Sequence, residues 1–199
     1  RSSAASDVYK RQQDKWHDDK MFRPIFERAQ QLDVPIYLHP GPPHPKMVEA
    51  FYGDYLPDFP FLNSAAWGFT LDTANQALRL ILSGLFHEYP RLKIILGHLG
   101  EALPFLLDRM DEAINRPGGK GIAFKDIFCR NFYVTTSGFF STPALLCTML
   151  EMGIDHILFS VDYPFVENAP GVQWLQAAPI STDDREKLFN GNARRLLKM

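Results

Sequence analysis

The chain has 199 residues, 46% of them hydrophobic and 22% charged, which is close to an ordinary soluble domain and excludes disordered, collagen-like and low-complexity proteins. The net charge of −2 leaves no excess of Lys and Arg to neutralise phosphates, so we expect no nucleic-acid partner. No apolar run approaches the roughly 20 residues that cross a bilayer, and two cysteines are typical of the reducing cytoplasm, so we expect a cytoplasmic protein without a membrane partner.

The first twelve residues differ from the rest of the sequence. They are small and polar and show no apolar period. They also lack the apolar stretch of a secretory signal. We therefore predict that residues 1–12 are a foreign or disordered leader and that residues 13–199 belong to one domain.

After this leader the sequence alternates between helical and strand patterns. Apolar residues at helical spacing predict helices over 22–32, 74–85, 103–110 and 145–152, and a capping-box pattern starts a last helix at Ser181. Short apolar runs predict strands over 34–38, 92–96, 132–136 and 157–161, and residues 44–63 are predicted as a long aromatic-rich loop. Strands separated by helices predict an α/β fold with a parallel sheet, here of four strand–helix units.

Four polar residues follow the predicted strands, and the carboxyl ends of parallel strands are where functional groups gather. They are His39, His98, Ser137 and Asp162. Two imidazoles and a carboxylate suit a divalent metal with nitrogen and oxygen ligands, or acid–base catalysis at neutral pH. Two plainer interpretations stay open: His39 as a strand cap bonded to a loop carbonyl, and Asp162 as a turn residue.

His98 lies between two glycines, which allow the backbone to turn sharply after the strand. Glu101, three residues later, is placed to hold one ring nitrogen of His98 and fix its tautomer. The alternative for Glu101 is a favourable charge in the first turn of a helix. We expect His87 and His156 at the opposite edge of the sheet and His17 in solvent.

Four segments, taken together, resemble the amidohydrolase-related decarboxylases, a family that includes γ-resorcylate, 2,3-dihydroxybenzoate and aminocarboxymuconate semialdehyde decarboxylases. The segments are Pro-Ile-Tyr-Leu-His-Pro at 35–40, Ile-Ile-Leu-Gly-His-Leu-Gly-Glu at 94–101, Ile-Leu-Phe-Ser-Val-Asp-Tyr-Pro at 157–164 and Asn-Gly-Asn-Ala-Arg-Arg-Leu at 190–196. The resemblance implies a (β/α)8 TIM barrel, of which this chain covers about four carboxyl-terminal strand–helix units.

The resemblance also implies the roles of individual residues. His39 and Asp162 correspond to metal ligands, and His98 with Glu101 corresponds to an acid–base dyad. Either that dyad or Asp162 would deliver a proton to the substrate, and Arg109 corresponds to an arginine that binds the substrate carboxylate or supports the structure.

By the same resemblance, the cofactor is a divalent metal, with zinc expected and manganese or magnesium as alternatives. The expected substrate is a small aromatic or unsaturated carboxylate such as a dihydroxybenzoate. The expected assembly of the parent enzyme is a homodimer or homotetramer.

The sequence departs from the family in one respect. Members begin with a strand carrying Glu-x-His or His-x-His, which provides the first metal ligands, and no such motif occurs here. We therefore expect the carboxyl-terminal part of the barrel, inactive by itself and prone to associate. Two other functions remain open: a metal-dependent hydrolase of a lactone or amide, and an α/β binding module without activity.

Overall fold

The computed structural model describes residues 6–9 and 15–199. Five parallel strands pair in the order in which they occur along the chain. The strands are β1 (Ser6–Tyr9), β2 (Ile36–His39), β3 (Ile94–Leu96), β4 (Phe132–Thr135) and β5 (Ile157–Leu158). The prediction of a parallel α/β sheet is confirmed, and the carboxyl ends of all five strands lie at one edge, which we call the carboxyl edge.

Helices connect the strands. They are α1 (Arg23–Leu32), α2 (Pro45–Tyr52), α3 (Gly68–Leu82), α4 (Leu85–Glu88), the single turn α5 (His98–Glu101), α6 (Leu103–Ile114), α7 (Phe124–Asn131), α8 (Thr142–Met152), α9 (Asn168–Ala177), α10 (Thr182–Glu186) and α11 (Asn192–Leu197). Short 3-10 turns at Lys20–Phe22 and Ile154–His156 and a π turn at Lys187–Gly191 complete the described chain.

The two faces of the sheet are packed differently. Leu38, Leu96 and Val134 stand in register on neighbouring strands and belong to the large core formed with the helices. Tyr37 and Ile95 point to the other face, because successive residues of a strand alternate between its two faces. On that face they belong to a smaller cluster with Leu158 and residues of α11. The side chain of His39 shares this second face with Tyr37.

The structure differs from the sequence prediction at the amino-terminal end of the chain. Ser6–Tyr9, assigned to the leader, form β1 and pair in parallel with β2. Residues 1–5 and 10–14 lie outside the described residues. The boundary at residue 13 stays a prediction.

Three helices of eight or more residues were not predicted. The predicted loop over 44–63 contains α2, which starts because His44 accepts a hydrogen bond from the Lys46 amide and Pro45 occupies the first helical position. Helices α7 and α9 were also missed, and α9 carries Pro170 and Gly171 in its first turn, where both residues are tolerated. Within the described ranges, no helix is both long enough and apolar enough to span a membrane.

Candidate active site at the carboxyl edge

His39 is the last residue of β2 and is partly buried. Its Nδ1 lies 2.8 Å from the carbonyl oxygen of Pro40. A carbonyl only accepts hydrogen bonds, so Nδ1 carries the proton and the lone pair of the ring is on Nε2. Metal-ligating histidines are commonly fixed in this tautomer by a backbone carbonyl. The hydrogen bond to a loop carbonyl, which was the plainer interpretation of His39, is therefore present. It also leaves Nε2 as the ring nitrogen that could bind a metal.

The chain after β3 forms a left-handed turn rather than the start of an ordinary helix. His98, Leu99 and Glu101 have φ angles of 47°, 53° and 54°, and Gly100 and Ala102 have φ angles of 84° and 65°. Non-glycine residues in this region cost about 1–2 kcal/mol each. Such strain persists only where the surroundings determine the conformation, and it concentrates at functional sites.

Gly100 explains how the turn fits against the sheet. A Cβ at this position would lie 2.9 Å from the ring of Pro104 and 3.1 Å from the Val134 side chain. Glycine therefore allows the turn to approach β4 and the start of α6 closely. The turn brings the carboxylate of Glu101 to the imidazole of His98.

His98 and Glu101 form a partly buried pair. The Nδ1 of His98 lies 2.7 Å from Oε1 of Glu101, whose side chain is fully buried. This is the expected contact of Glu101 with a ring nitrogen of His98, and the role of the two residues as an acid–base dyad stays a prediction. The other carboxylate oxygen, Oε2, is buried and has no hydrogen-bond partner among the described residues.

The pair controls the protonation of the imidazole. Burial of His98 opposes its positive charge, but the hydrogen bond and the charge of Glu101, together with the charge of Asp162, outweigh burial and raise the pKa of His98. A raised pKa means that more of the imidazole is protonated at neutral pH. The pair is therefore suited to hold a proton and deliver it.

Asp162 follows β5 at the same edge and is partly buried. Its φ angle is 67°, and its backbone carbonyl accepts hydrogen bonds from the amides of Phe165 and Val166. The turn after β5 is thus held by the backbone of Asp162, and the carboxylate is not needed to form it.

Tyr37, which sequence reasoning missed, lies among these groups. Burial raises the pKa of its hydroxyl, and the charges of Glu101 and Asp162 act in the same direction. The structure therefore brings His98, Glu101 and Asp162 within electrostatic reach of one another, beside the strand that carries His39. A tyrosine within the apolar Pro35–Leu38 run was the only available sequence signal.

The donor atoms at this edge suit a divalent metal in kind but are few. Nε2 of His39 and the Asp162 carboxylate are the nitrogen and oxygen donors that such metals take. No group of three or more His, Cys, Asp or Glu side chains that could hold a metal occurs among the described residues. These two residues thus fit as part of a ligand set, since catalytic sites use three or more protein ligands.

Arg109 is not brought to this edge. It is an exposed residue of α6 and lies in an outer groove with Leu78, Leu82, Leu106 and Met110. The helix runs back from the carboxyl edge, which carries Arg109 about two turns away from the dyad. Its position therefore does not support contact with a substrate held beside His39 and Asp162 of the same chain.

The other histidines lie elsewhere. His87 is exposed at the end of α4, and His156 precedes β5, bonds the Phe132 carbonyl and stacks on Tyr133. The expectation that His17 is solvated is wrong: it is 2% exposed and its Nδ1 lies 2.6 Å from Gln76 of α3. Ser137 is hydrogen-bonded to the hydroxyl groups of Tyr37, Thr135 and Ser160.

The sequence also resembles that of known proteins. Residues 8–199 match the family profile described as amidohydrolase. The chain is 42% identical over 189 residues to a γ-resorcylate decarboxylase of Rhizobium sp., covering 92% of this chain and 56% of that protein.

Two solved structures show the same fold. One is a dihydroxybenzoic acid decarboxylase from Polaromonas sp. with bound manganese and the inhibitor 2-nitroresorcinol, with a TM-score of 0.84 and 42% identity over 92% of this chain and 55% of that one. The other is a 2,6-dihydroxybenzoate decarboxylase in complex with 2,6-dihydroxybenzoate, with a TM-score of 0.87 and 40% identity over 98% of this chain and 61% of that one.

The chain thus spans somewhat more than half the length of these relatives. Its parallel sheet and flanking helices superpose on the corresponding part of their (β/α)8 barrels. The family match, the fold and the motifs at the strand ends agree, and we conclude that this chain belongs to the amidohydrolase family and forms part of its barrel.

Proposed function

We propose that the natural protein carrying this sequence is a divalent-metal-dependent, non-oxidative decarboxylase of small aromatic carboxylates, with a dihydroxybenzoate as its substrate. The observation that carries this proposal is the hydrogen bond between His98 and the buried carboxylate of Glu101, at the same sheet edge as His39 and Asp162. The relatives named above, which are decarboxylases of dihydroxybenzoates at 40–42% identity, support the substrate class.

The reaction requires a proton and no oxidant or reductant. A proton is added to the ring carbon that bears the carboxylate, which interrupts the aromatic system. The bond between that carbon and the carboxylate then breaks, its electron pair restores the aromatic ring, and carbon dioxide leaves. A positioned acid is therefore the group that the protein must supply.

His98 is the best-prepared acid in the described part of the chain. Its pKa is raised, and Glu101 fixes Nδ1 by a hydrogen bond, so the transferable proton is on Nε2. Asp162 is the second group that could deliver this proton. Its negative charge contributes to the raised pKa of His98, which supports a position of Asp162 on the same side of the sheet as the dyad.

His39, through Nε2, and Asp162, through its carboxylate, would hold the metal. When bound, a divalent cation neutralises negative charge on a substrate carboxylate or phenolate oxygen. Manganese is the working choice because the Polaromonas relative contains it, and zinc stays a prediction from the sequence. His39 shares its face of the sheet with Tyr37, and the charge of Asp162 acts on both Tyr37 and His98.

The test is an assay of the natural protein with 2,6-dihydroxybenzoate. The metal is first removed with a chelator, and Mn²⁺ or Zn²⁺ is then restored in separate samples. We expect carbon dioxide and resorcinol in equal amounts, only in the presence of metal. Hydrolysis of lactones or amides without carbon dioxide release would overturn the proposal in favour of a hydrolase, and binding without turnover would favour a binding module.

A further inference from the structure

Four hydroxyl side chains form a continuous hydrogen-bonded network across the sheet below the carboxyl edge. The Tyr37 hydroxyl lies 2.8 Å from Oγ of Ser137 and 3.0 Å from Oγ1 of Thr135, and these two oxygens are 2.6 Å apart. Oγ of Ser137 lies 3.2 Å from Oγ of Ser160, which also accepts a hydrogen bond from the Ser137 amide at 3.1 Å. We call these four residues the hydroxyl bridge.

The bridge connects the two chain segments that carry the proposed metal ligands. Tyr37 precedes His39 by two residues in β2, so both side chains lie on the same face. Ser160 precedes Asp162 by two residues in the segment after β5. The path from Tyr37 through Ser137 to Ser160 therefore spans the sheet from β2 to β5.

The bridge also crosses β3 immediately before His98. Gly97 occupies the crossing point, and a Cβ there would lie 3.1 Å from the Tyr37 hydroxyl and 3.3 Å from Oγ of Ser137. The φ angle of Gly97 is −74°, which any residue adopts, so its backbone does not require glycine. A side chain at this position would crowd the bridge, so the close approach of the bridge favours glycine here.

Hydrophobic packing does not explain a set of buried hydroxyls. Thr135 and Ser137 are 4% and 7% exposed, and buried hydroxyls add little net stability over well-packed apolar side chains. Hydrogen bonds are directional, however, so a satisfied network fixes the distance and orientation of the segments that it joins.

We propose that the hydroxyl bridge sets the separation of His39 and Asp162, which makes Tyr37 a positioning residue for the metal-binding pair. This inference rests on the proposed function, because it assigns the metal to those two residues. Without the bridge, the ends of β2 and β5 relax independently. The donor atoms then depart from the geometry that a metal requires, while the fold is kept.

The first experiment compares Tyr37→Phe with Tyr133→Phe in the natural protein. Tyr133 is the matched control, because it stands in register with Tyr37 through Ile95 on the same face of the sheet, but its ring stacks on His156 and it is not one of the bridge residues. Mn²⁺ affinity is measured by isothermal titration calorimetry, together with kcat, KM and the melting temperature.

For Tyr37→Phe we expect Mn²⁺ affinity to fall about 10–100-fold, as when a group that orients a metal ligand is removed. We expect kcat to fall with it and KM and the melting temperature to change little, and Tyr133→Phe to keep wild-type affinity. Unchanged Mn²⁺ affinity in Tyr37→Phe would overturn the inference. Wild-type protein that binds no Mn²⁺ would instead overturn the proposed function, and this inference with it.

A second experiment uses Gly97→Ala, whose methyl group presses against the bridge. If the bridge acts as one unit, Gly97→Ala and Tyr37→Phe both disturb the separation of His39 and Asp162. The double variant then loses little more Mn²⁺ affinity than Tyr37→Phe alone. Fully additive losses would contradict a shared bridge. Ser160→Ala, at the other end of the network, is expected to lower Mn²⁺ affinity in the same direction and serves if Tyr37→Phe folds poorly.

Discussion

The two edges of the sheet place their acidic side chains in different surroundings. At the amino-terminal edge, Asp33 pairs with Lys93 and Lys198, each at 2.7 Å, and His156 bonds a backbone carbonyl. At the carboxyl edge, the carboxylate of Glu101 is fully buried against His98 and keeps one oxygen without a partner among the described residues.

The backbone shows the same contrast. His98, Leu99, Glu101, Ala102, Ser137 and Asp162, all at or after the carboxyl ends of strands, adopt positive φ angles. Near the amino-terminal edge, the non-glycine residues in that region are Asp33 and Lys198, which simply end helices. Barrel enzymes concentrate catalysis at the carboxyl face and stability at the opposite face. The strained backbone and the Oε2 of Glu101, unpaired within the described part of the chain, follow that division here.

The strongest test of this difference between the two edges is to make the same substitution at each of them. Asp162→Asn is expected to abolish turnover while the protein stays folded, because the amide is a poorer metal ligand and carries no transferable proton. Asp155→Asn, which disrupts exposed pairs with Lys187 and Arg195, is expected to keep turnover. Assays of carbon dioxide release and far-UV circular dichroism check both. A folded Asp162→Asn protein with normal activity would contradict the role of Asp162.

The next effect concerns the dyad. Glu101→Gln keeps the shape but removes the charge that raises the pKa of His98. The reaction needs protonated His98, so the loss of activity at high pH is expected to move to lower pH, with kcat reduced within the ~10²–10⁴ range of acid–base catalysis. Glu112→Gln, in an exposed pair with Arg116, is the control and should leave the pH profile unchanged. An unshifted profile in Glu101→Gln would exclude His98 as the acid.

At the amino-terminal edge, a substitution is expected to lower the stability of the fold and leave catalysis unchanged. Asn192 is buried, and its amide donates to the carbonyls of Ile154 and Ile157 at 2.8 and 2.7 Å. Asn192→Ala removes both of these hydrogen bonds, although the Ile154 carbonyl keeps the Ile157 amide as a donor, and is expected to lower the free energy of unfolding by about 1–3 kcal/mol. Urea unfolding measures this, with exposed Asn190→Ala as the control. A fall in kcat of the folded protein would show that the two edges are not separate in function.

The smallest effect is expected at Asp33. Lys198 and Lys93 lower the pKa of its carboxyl from 3.8 to about 2. A lowered carboxyl pKa stabilises the fold above the ordinary pKa, and this contribution is lost as the pH falls towards about 2.

Because Asp33 is 43% exposed, we expect Asp33→Asn to cost about 0.2–1 kcal/mol per lost pair at neutral pH. Asn keeps the left-handed backbone that Asp33 adopts at the end of α1. Thermal melts of wild type and variant should differ at pH 7 and converge at acid pH. A difference that grows on acidification would contradict the assignment of the stabilising charge to Asp33.

The sequence was sufficient for the parts of the site that depend on local pattern. Apolar runs that end at a histidine or an aspartate locate His39, His98 and Asp162 at one edge, because parallel strands share a direction. Glycines around His98 indicate a sharp turn after β3. These features need only residues adjacent in sequence.

The remaining features depend on contacts between distant residues. A left-handed turn at His98–Ala102 contradicts local preference, so no propensity predicts it, and it is maintained by packing such as that of Gly100 against Pro104 and Val134. The hydroxyl bridge joins Tyr37 to Ser137, 100 residues apart. His17 is buried and bonded to Gln76 of α3, which is 59 residues away in sequence.

The central claim is that the carboxyl edge gathers a metal-binding pair beside an acid. Anomalous diffraction from a crystal soaked in Mn²⁺ tests it most directly. The account predicts one manganese peak about 2.0–2.2 Å from Nε2 of His39 and from a carboxylate oxygen of Asp162, on the same edge as the His98–Glu101 pair. A peak at another place in the molecule, with His39 and Asp162 making no bond to metal, would contradict it.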